Sequence, residues 1–444
     1  MTVMKTVIMA GGKGTRIASL APDIPKPMIP INGKPVLEHE IECLREQGFH
    51  DLIITVSHLG HVIMDYFGDG SNISPATGKP FGVSIQYFNE EVPLGNAGAL
   101  LKLKDQLSDT FLLLNGDVFF DVNFNRFVEY HQAKQAEVTL FSHPNDHPYD
   151  SGLLIADKDH VVRQWLTKED SRPEWYDNRV NAGLHVMNHT VLEQCGIDPE
   201  LVGAEVDGKI LKVDLDRNLL KPLCAGGRMY CYDSPEYVKD MGTPERYAAV
   251  CQDYESGLIH ARNLARKQKA IFLDRDGTIN KYVGFLRSPD QFELLDGAAE
   301  GIKRINHSSY LAIVATNQPV IARGEVTWEG LHTIHRKMHT LLGNEGAYLD
   351  AVYICPHHPH SGFEGEIREL KIDCDCRKPK PGMLVKAAED YNIDLSASWM
   401  IGDSENDILA GKAAGCRTIL IGTGSFGQDV TVNSLLEAMH YIIK

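Results

Sequence analysis

Short apolar runs alternate with amphipathic helical patterns along this chain, and this alternation restricts the fold more than any other feature. In the first half, apolar runs of strand length lie at 6–10, 51–56 and 111–114. An amphipathic helical pattern lies at 35–47. The runs that restart the alternation lie at 269–274, 311–315 and 399–401. Strands that are apolar throughout and separated by helices are typical of parallel sheets covered on both faces. We therefore predict the α/β class, with two doubly wound, mostly parallel sheets.

The length of the chain, 444 residues, exceeds what one hydrophobic core normally organises. Between the two sets of apolar runs, residues 255–268 are polar and basic and show no strand pattern. We predict a first domain over residues 1–254, a linker over 255–268 and a second domain over 269–444. The two halves do not resemble each other, so an internal repeat is not expected.

The formal net charge of −16 argues against a nucleic acid or an anionic membrane as partner. The apolar runs are shorter than the ~20 residues of a membrane span, and the first is too short for a signal peptide. The nine cysteines are odd in number and scattered, as is typical of reduced thiols. We expect a cytoplasmic protein. The sequence does not determine whether the chain forms a homo-oligomer.

A glycine-rich segment with the sequence GGKGTR follows the first predicted strand directly. Backbone N–H groups at Gly11, Gly12 and Gly14 can approach phosphate oxygens, and the guanidinium of Arg16 can pair with them. The spacing fits neither the Walker nor the Rossmann pattern, and an ordinary tight turn remains an alternative.

Three further positions of the first half suit a phosphorylated ligand. Lys26 lies on a loop stiffened by prolines, and Gly98 lies in a second glycine-containing loop that opens a helix. Asp117 ends a predicted strand, where open α/β sheets bind ligands. A simple turn aspartate is the alternative for Asp117.

Together these segments resemble the nucleotidyltransferases that make nucleotide sugars, including the glucose- and mannose-1-phosphate enzymes, over residues 1–250. The family's Ala-Gly-Gly-x-Gly-Thr-Arg and Lys-Pro-Met segments are both present, whereas Asn96 replaces the threonine of its Leu-Gly-Thr-Ala-Gly loop. The resemblance implies a Rossmann-like domain in which a sugar 1-phosphate attacks the α-phosphorus of a nucleoside triphosphate and expels pyrophosphate.

The same resemblance implies roles for individual residues. Arg16 would hold the triphosphate and Lys26 would stabilise charge at the α-phosphate. A Mg²⁺ ion would bind Asp117 and Asp240. The residues expected to bind phosphate or sugar are Gly11, Gly12, Gly14, Gly98, Lys168, Asn181 and Gly183.

The second half begins with an Asp-x-Asp-Gly-Thr motif directly after an apolar run, at 274–278. An EF-hand is excluded, because its loop needs glutamate at the twelfth position, where Phe285 stands. Two capping aspartates would be the structural interpretation. Polar segments that contain Thr316 and Asp403 follow two further predicted strands, and cations follow at Arg377 and Lys378.

These four motifs in order resemble the haloacid-dehalogenase-like phosphatases over residues 269–444. The resemblance implies that Asp274 is the nucleophile, which forms an aspartyl-phosphate, and that Asp276 is the general acid and then the base. The residues expected to bind phosphate or substrate are Thr316, Asn317, Arg377 and Lys378, with Lys380 as an alternative to Lys378. The expected Mg²⁺ ligands are Asp274, Asp403 and the carbonyl of Asp276, with Asp407 as an assisting residue.

The segments Cys-Pro-His and Cys-Asp-Cys supply four ligands suited to tetrahedral Zn²⁺, at Cys355, His357, Cys374 and Cys376. Independent buried thiols are the alternative for the cysteines, and His358 is the alternative ligand. A closed site with four protein ligands is structural, and here it would hold the loop that leads to the two cations.

The zinc loop resembles that of the histidinol-phosphate and heptose 1,7-bisphosphate phosphatases, which lack a large cap domain. The phosphatase sequence alone leaves both substrates open, but the fusion favours the heptose. Removing the 7-phosphate yields a sugar 1-phosphate, which a nucleotidyltransferase needs. We therefore expect phosphorylated heptose and GTP, or another nucleoside triphosphate, as partners. The alternatives are a different sugar phosphate or histidinol phosphate, or one domain that is a catalytically inactive sensor.

Overall fold

The computed structural model describes residues 4–12, 23–206 and 208–443, which form two compact units. The first unit consists of the described parts of Met1–Ser142, Leu154–Trp165 and Asn181–Asn263. The second unit consists of the described parts of His143–Leu153, Leu166–Val180 and Leu264–Lys444. The predicted boundaries at 254 and 268 stay a prediction.

The first half of the chain contains fifteen strands among its described residues. They are β1 Lys5–Met9, β2 Pro30–Ile31, β3 Lys34–Pro35, β4 Asp51–Val56, β5 Ser84–Asn89, β6 Thr110–Asn115, β7 Val118–Asp121, β8 Val138–His143, β9 Leu153–Ala156, β10 Val162–Leu166, β11 Val180–Asn188, β12 Glu205–Val206, β13 Lys209–Ile210, β14 Met229–Asp233 and β15 Tyr237–Asp240. The helices are α1 Val36–Glu46, α2 Gly60–Phe67, α3 Gly98–Leu103, α4 Phe124–Lys134, α5 Thr190–Gln194, α6 Lys221–Leu223, α7 Pro244–Glu255 and α8 Leu258–Ala261.

The main sheet of this half has the strand order β10-β9-β11-β6-β1-β4-β5, and β8 joins β11 to β14. Strands β6, β1, β4 and β5 are parallel, and β11 runs antiparallel to β6. Ile8 of β1 packs in one apolar cluster with Leu37 of α1, and Val7 packs in another with Leu101 of α3. Neighbouring residues of one strand therefore face two cores, which explains the unbroken apolar runs and confirms the doubly wound interpretation.

The second half repeats this design with a smaller sheet. Its strands are β16 Lys269–Leu273, β17 Tyr310–Asn317, β18 Ala351–Cys355, β19 Trp399–Gly402, β20 Arg417–Ile421 and β21 Val430–Val432. Its helices are α9 Ala298–Asn306, α10 Trp328–Asn344, α11 Gly382–Tyr391, α12 Glu405–Ala414 and α13 Leu435–Ile442. The order is β18-β17-β16-β19-β20-β21, and every pair is parallel. Leu273 and Phe272 belong to different clusters, so both faces are again covered.

Two segments from the first half of the sequence belong to the second unit. Within that unit, the backbone N–H of Tyr176 donates to the hydroxyl of Thr340 on α10 over 3.0 Å. The ammonium of Lys337 lies 5.1 Å from the ring centroid of Trp175. Helix α10 thus carries polar and aromatic contacts to chain that precedes it by more than a hundred positions.

A search of the described helices finds none with the length and apolar character that crossing a bilayer requires.

Candidate active sites

The first unit has a cavity of about 680 Å³ at the carboxyl ends of β1, β4 and β6. Parallel strands converge there, so the loops that follow them meet at one edge of the sheet. The lining includes Gly11, Gly12, Lys26, Asn96, Asn115 and Asp117. The structure therefore brings together four of the predicted site residues, Gly11, Gly12, Lys26 and Asp117, with the substituted Asn96. Gly14 and Arg16 lie outside the described residues.

Lys26 forms ion pairs with two carboxylates at this cavity. Its ammonium lies 3.1 Å from Oδ2 of Asp117 and 3.2 Å from Oδ1 of Asp240, and its side chain is only 7% exposed. Asp240 also accepts a hydrogen bond from Arg246 of α7. Burial raises the pKa of Asp240, but Lys26 and Arg246 together hold it below its ordinary value. Carboxylate oxygens are the ligands that Mg²⁺ prefers, so two carboxylates that share one cation have the chemistry of a Mg²⁺ site.

The two sugar-binding candidates on β11 lie beside the cavity wall. Gly183 has φ +77°, and a Cβ there would come within 2.5 Å of the side-chain nitrogen of Asn115. Glycine is therefore required for β11 to approach Asn115. The side-chain oxygen of Asn181 accepts from the backbone N–H of Gly183 over 3.3 Å.

Two other predicted ligand contacts have different surroundings. A Cβ at Gly98 would lie 2.6 Å from the Cβ of Leu94, so this glycine serves close packing at the start of α3. Lys168 belongs to the second unit, where its ammonium pairs with Asp150 over 2.9 Å. Both side chains of that pair are more than half exposed.

The second unit gathers the phosphatase motifs at the carboxyl end of its sheet. The ammonium of Lys378 lies 2.7 Å from Oδ1 of Asp274 and 2.5 Å from Oδ1 of Asp407, and all three residues are buried. Asp274 follows β16, Asp407 lies in the first turn of α12, and Lys378 precedes α11. Lys380 instead pairs with the exposed Asp373, which favours Lys378 over the alternative.

Three carboxylates of this site suit a hard divalent cation. Oxygen atoms of Asp274, Asp403 and Asp407 all lie within 4.8 Å of one another. Burial, reinforced by Asp407, raises the pKa of Asp274 to about 7 against the opposing effect of Lys378. Burial and Asp407 also raise the pKa of Asp403 to about 6. Crowded, desolvated carboxylates of this kind are stabilised when a cation binds them.

A glycine conformation allows this crowding. Gly277 has φ +80°, and a Cβ at that position would lie 2.0 Å from Oδ2 of Asp403. The Asp-x-Asp-Gly turn can therefore approach the Asp403 carboxylate only because residue 277 lacks a side chain.

Asp276 has an arrangement of its own. Its Oδ2 accepts from the buried guanidinium of Arg275 over 2.8 Å and from the amide of Gln318 over 3.0 Å. Its Oδ1 accepts from Asn280 over 3.0 Å. The Gln318 amide also donates to the hydroxyl of Thr316 over 2.9 Å. These contacts fix the position of the Asp276 carboxyl group, which does not belong to the group of three crowded carboxylates.

The side chains of Asn317 and Arg377 form hydrogen bonds with backbone groups. The side chain of Asn317 donates to the carbonyl of Lys378 and accepts from its N–H, both over 3.0 Å. Arg377 donates to the carbonyl of His357 over 3.2 Å. The loop that carries Lys378 is therefore held by the end of β17 on one side and by the cysteine-containing loop on the other.

The four predicted zinc ligands come together. The sulfur atoms of Cys355, Cys374 and Cys376 are separated by 3.3 to 3.6 Å. Nδ1 of His357 lies 3.3 Å from the sulfur atom of Cys376. Tetrahedral Zn²⁺ with bonds near 2.3 Å places its sulfur ligands about 3.8 Å apart. The spacing therefore fits zinc. His358, the alternative ligand, uses Nδ1 on the carbonyl of His360 and Nε2 on Arg323.

Sequence reasoning missed four side chains that contact the predicted residues. They are Arg246 on Asp240, and Arg275, Gln318 and Asn280 on Asp276. Gln318 and Arg275 lie inside the motifs that identified their neighbours, so the motifs themselves were the available signal. Arg246 follows Asp240 by six positions, from the end of β15 into the first turn of α7, and the sequence pattern did not single it out.

Comparisons with known proteins agree with this geometry. The family model for nucleotidyl transferases matches residues 5–257, more than half of the chain, and the model for HAD-hydrolase-like proteins matches residues 375–443. The D-glycero-β-D-manno-heptose-1,7-bisphosphate 7-phosphatase of Pasteurella multocida (strain Pm70) is 44% identical over 158 residues, which are 35% of this chain and 83% of that protein.

Two further comparisons concern one half of the chain each. The phosphatase of the same name from Escherichia coli (strain K12) is 41% identical over 189 residues, or 41% of this chain and 97% of that protein. The crystal structure of HddC from Yersinia pseudotuberculosis is 25% identical with a TM-score of 0.45, covering 56% of this chain and 99% of that chain. This chain combines transferase and phosphatase activities: it belongs to the nucleotidyl transferase family in its first half and to the HAD-like heptose-bisphosphate phosphatases in its second.

Proposed function

We propose that the chain removes the 7-phosphate of D-glycero-D-manno-heptose 1,7-bisphosphate and then transfers GMP from GTP to the resulting heptose 1-phosphate. The observation that carries this proposal is the fusion of the two families. The curated relatives of the second half are named for heptose 1,7-bisphosphate, and loss of its 7-phosphate gives the acceptor that the first half needs. Histidinol phosphate would leave the transferase without an acceptor.

In the phosphatase site, Asp274 attacks phosphorus and becomes an aspartyl-phosphate while Asp276 gives its proton to the departing C7 oxygen. Asp276 then takes a proton from the water that hydrolyses this intermediate. Lys378, whose ammonium lies 2.7 Å from Asp274, reduces the repulsion between the negatively charged phosphate and the Asp274 carboxylate. A Mg²⁺ ion held by Asp274, Asp403 and the Asp276 carbonyl, with Asp407 beside it, would offset the remaining carboxylate–phosphate repulsion.

In the transferase site, the chain's residues position two polyanions for in-line attack rather than form a covalent intermediate. Gly11 and Gly12 give backbone donors to the nucleotide phosphates, and Lys26 neutralises charge at the α-phosphate. Mg²⁺ on Asp117 and Asp240 would neutralise charge on the phosphate oxygens. We assign Arg16 to the triphosphate by family resemblance, and the guanine preference rests on likeness to mannose-1-phosphate guanylyltransferases.

We further propose that Cys355, His357, Cys374 and Cys376 hold a structural Zn²⁺ ion and that the enzyme acts in the cytoplasm. The closed set of four ligands supports the zinc assignment, because a catalytic zinc keeps an open position.

The test is a product assay with the full chain, Mg²⁺, each anomer of the heptose bisphosphate and each of the four common nucleoside triphosphates in turn. We expect orthophosphate, pyrophosphate and GDP-heptose in matching amounts, with GTP preferred. Faster hydrolysis of histidinol phosphate than of either bisphosphate would contradict the pathway and leave only the two reaction types. Phosphate release without any nucleotide sugar would favour an inactive first domain.

A further inference from the structure

Glu40 is an unexplained acid in the first unit. It lies on α1, has no exposed surface, and neither of its carboxylate oxygens has a hydrogen-bond partner among the described residues. Its neighbours on the helix, Leu37, Ile41 and Leu44, belong to the apolar core. Burying a carboxyl group without a partner costs free energy, so a chain without a use for this group would be more stable with an apolar residue there.

Its electrostatic neighbours are the charged groups of the cavity. Burial raises the pKa of Glu40 well above its ordinary value, Asp117 raises it further, and Lys26 acts in the opposite direction. Helix α1, which carries Glu40, packs against the segment Lys26–Met28 and against β7, the strand that follows Asp117. Lys26 and Asp117 themselves both line the cavity.

Lys26 and the proposed metal ion compete for the same carboxylates. The two ion-pair partners of Lys26, Asp117 and Asp240, are also the proposed metal ligands. A divalent cation on these carboxylates repels the ammonium from the place between them, because both cations use the same oxygens. With 7% of its side chain exposed, Lys26 has little access to water that would replace the lost partners. It needs another anion within reach.

We propose that Glu40 is a positioning residue that receives the Lys26 ammonium when Asp117 and Asp240 bind a divalent cation. This inference rests on the proposed function of the cavity. Glu40 thereby keeps Lys26 buried, charged and beside the metal, ready for the α-phosphate of the incoming nucleotide. The residue touches neither metal nor substrate, and it acts only through Lys26.

Binding of Mn²⁺ alone to the full chain tests the proposal, because no phosphate is then present to receive Lys26. All variants carry Asp403→Asn, which weakens the phosphatase metal site, and free Mn²⁺ is followed by electron paramagnetic resonance. Asp117→Ala identifies the signal of the first unit. We expect Glu40→Gln to weaken this binding by about tenfold or more, as for a buried charge that loses its partner. Glu40→Asp should retain part of the affinity.

Two further variants separate this role from a structural one. Glu40→Leu should melt at a higher temperature than the parent, yet bind Mn²⁺ as weakly as Glu40→Gln does. With Lys26→Met, the competing ammonium is absent, and adding Glu40→Gln should change the Mn²⁺ affinity by less than about twofold. An equally large effect of Glu40→Gln with and without Lys26 would overturn the proposal, as would parental affinity in Glu40→Gln. If the parent shows no binding sensitive to Asp117→Ala, the metal site itself fails, and the proposed transferase mechanism fails with it.

Discussion

Two buried histidines in the first unit, His39 and His185, make its stability sensitive to acid. Burial is the main cause that lowers the pKa of His39 to about 4 and that of His185 to about 3. Below the ordinary value of 6.5, the unfolded chain takes up protons that these folded sites refuse. The contribution of these two histidines to stability is therefore complete above pH 6.5 and declines as the pH falls toward their folded pKa values.

We expect the free energy of unfolding of this unit to fall by about 1.4 kcal/mol per pH unit and per histidine across that window. Hydrogen exchange in urea, read on peptides from α1 and β11, measures it between about pH 7 and about pH 5. His185→Gln should flatten the dependence, whereas His50→Gln, at an exposed position, serves as the matched control. An unchanged slope in His185→Gln would contradict the assignment.

At the same scale, residues that act at strand ends could be predicted from the sequence, and their supporting contacts could not. Asp117, Asp274 and Asp403 follow buried strands, and the convergence of parallel strands brings such positions together without further information. Glu40 shows the limit. A helical pattern records which positions face a core, but a single acid on that face does not reveal which charge lies opposite it.

We expect the order of the loop from β18 to α11 to depend on the proposed zinc. Its four proposed ligands lie within 4.8 Å of one another, and the side chain of Arg377, next to Lys378, donates to the backbone carbonyl of His357. Loss of zinc should therefore disturb Lys378 as well as the local fold. The nucleotidyltransferase reaction should be preserved, since its proposed residues belong to the first half of the sequence.

We expect about one zinc per chain by elemental analysis. Cys374→Ser should lower the melting temperature of the phosphatase half and its rate of phosphate release. Cys195→Ser, a half-buried thiol of the first unit, is the control and should leave both unchanged. A metal-free preparation with undiminished melting temperature and phosphatase rate would contradict a structural zinc.

Among the elements, the central parallel strands could be predicted closely, because burial on both faces leaves unbroken apolar runs. The predicted run at 51–56 coincides with β4, and 111–114 lies inside β6. The antiparallel additions were harder. Strand β11 carries polar residues such as Asn181 and His185 within its length, and its pairing with β6 depends on chain separated from it by some seventy positions.

At the scale of the whole molecule, the two activities should be separable by single substitutions, because each site has its own charged residues. Asp274→Asn should abolish phosphate release yet still convert a supplied heptose 1-phosphate to nucleotide heptose. Asp117→Ala should do the reverse. Loss of both activities in either variant, with normal melting, would contradict two independent sites.

The same variant reports the order of the two steps. Given heptose 1,7-bisphosphate and GTP, Asp274→Asn should form no nucleotide sugar, because a second phosphate at C7 should not fit the sugar pocket. Chromatography of the nucleotide products measures this directly. Direct conversion of the bisphosphate by this variant would reverse the proposed order.

The division into two α/β parts could be predicted because the alternating pattern stops and restarts. The membership of His143–Leu153 and Leu166–Val180 in the second unit could not, since it arises from contacts such as that between Tyr176 and Thr340. Local periodicity describes the near neighbours of a residue along the chain, and these partners are far apart in sequence.

The bare α-carbon of Gly277 also has a consequence for heredity. Any replacement would place a carbon 2.0 Å from an oxygen of Asp403, in a backbone conformation with φ +80° that other residues rarely adopt. Lineages that keep the phosphatase should therefore retain glycine at residue 277, whereas lineages that abandon the activity lose this constraint.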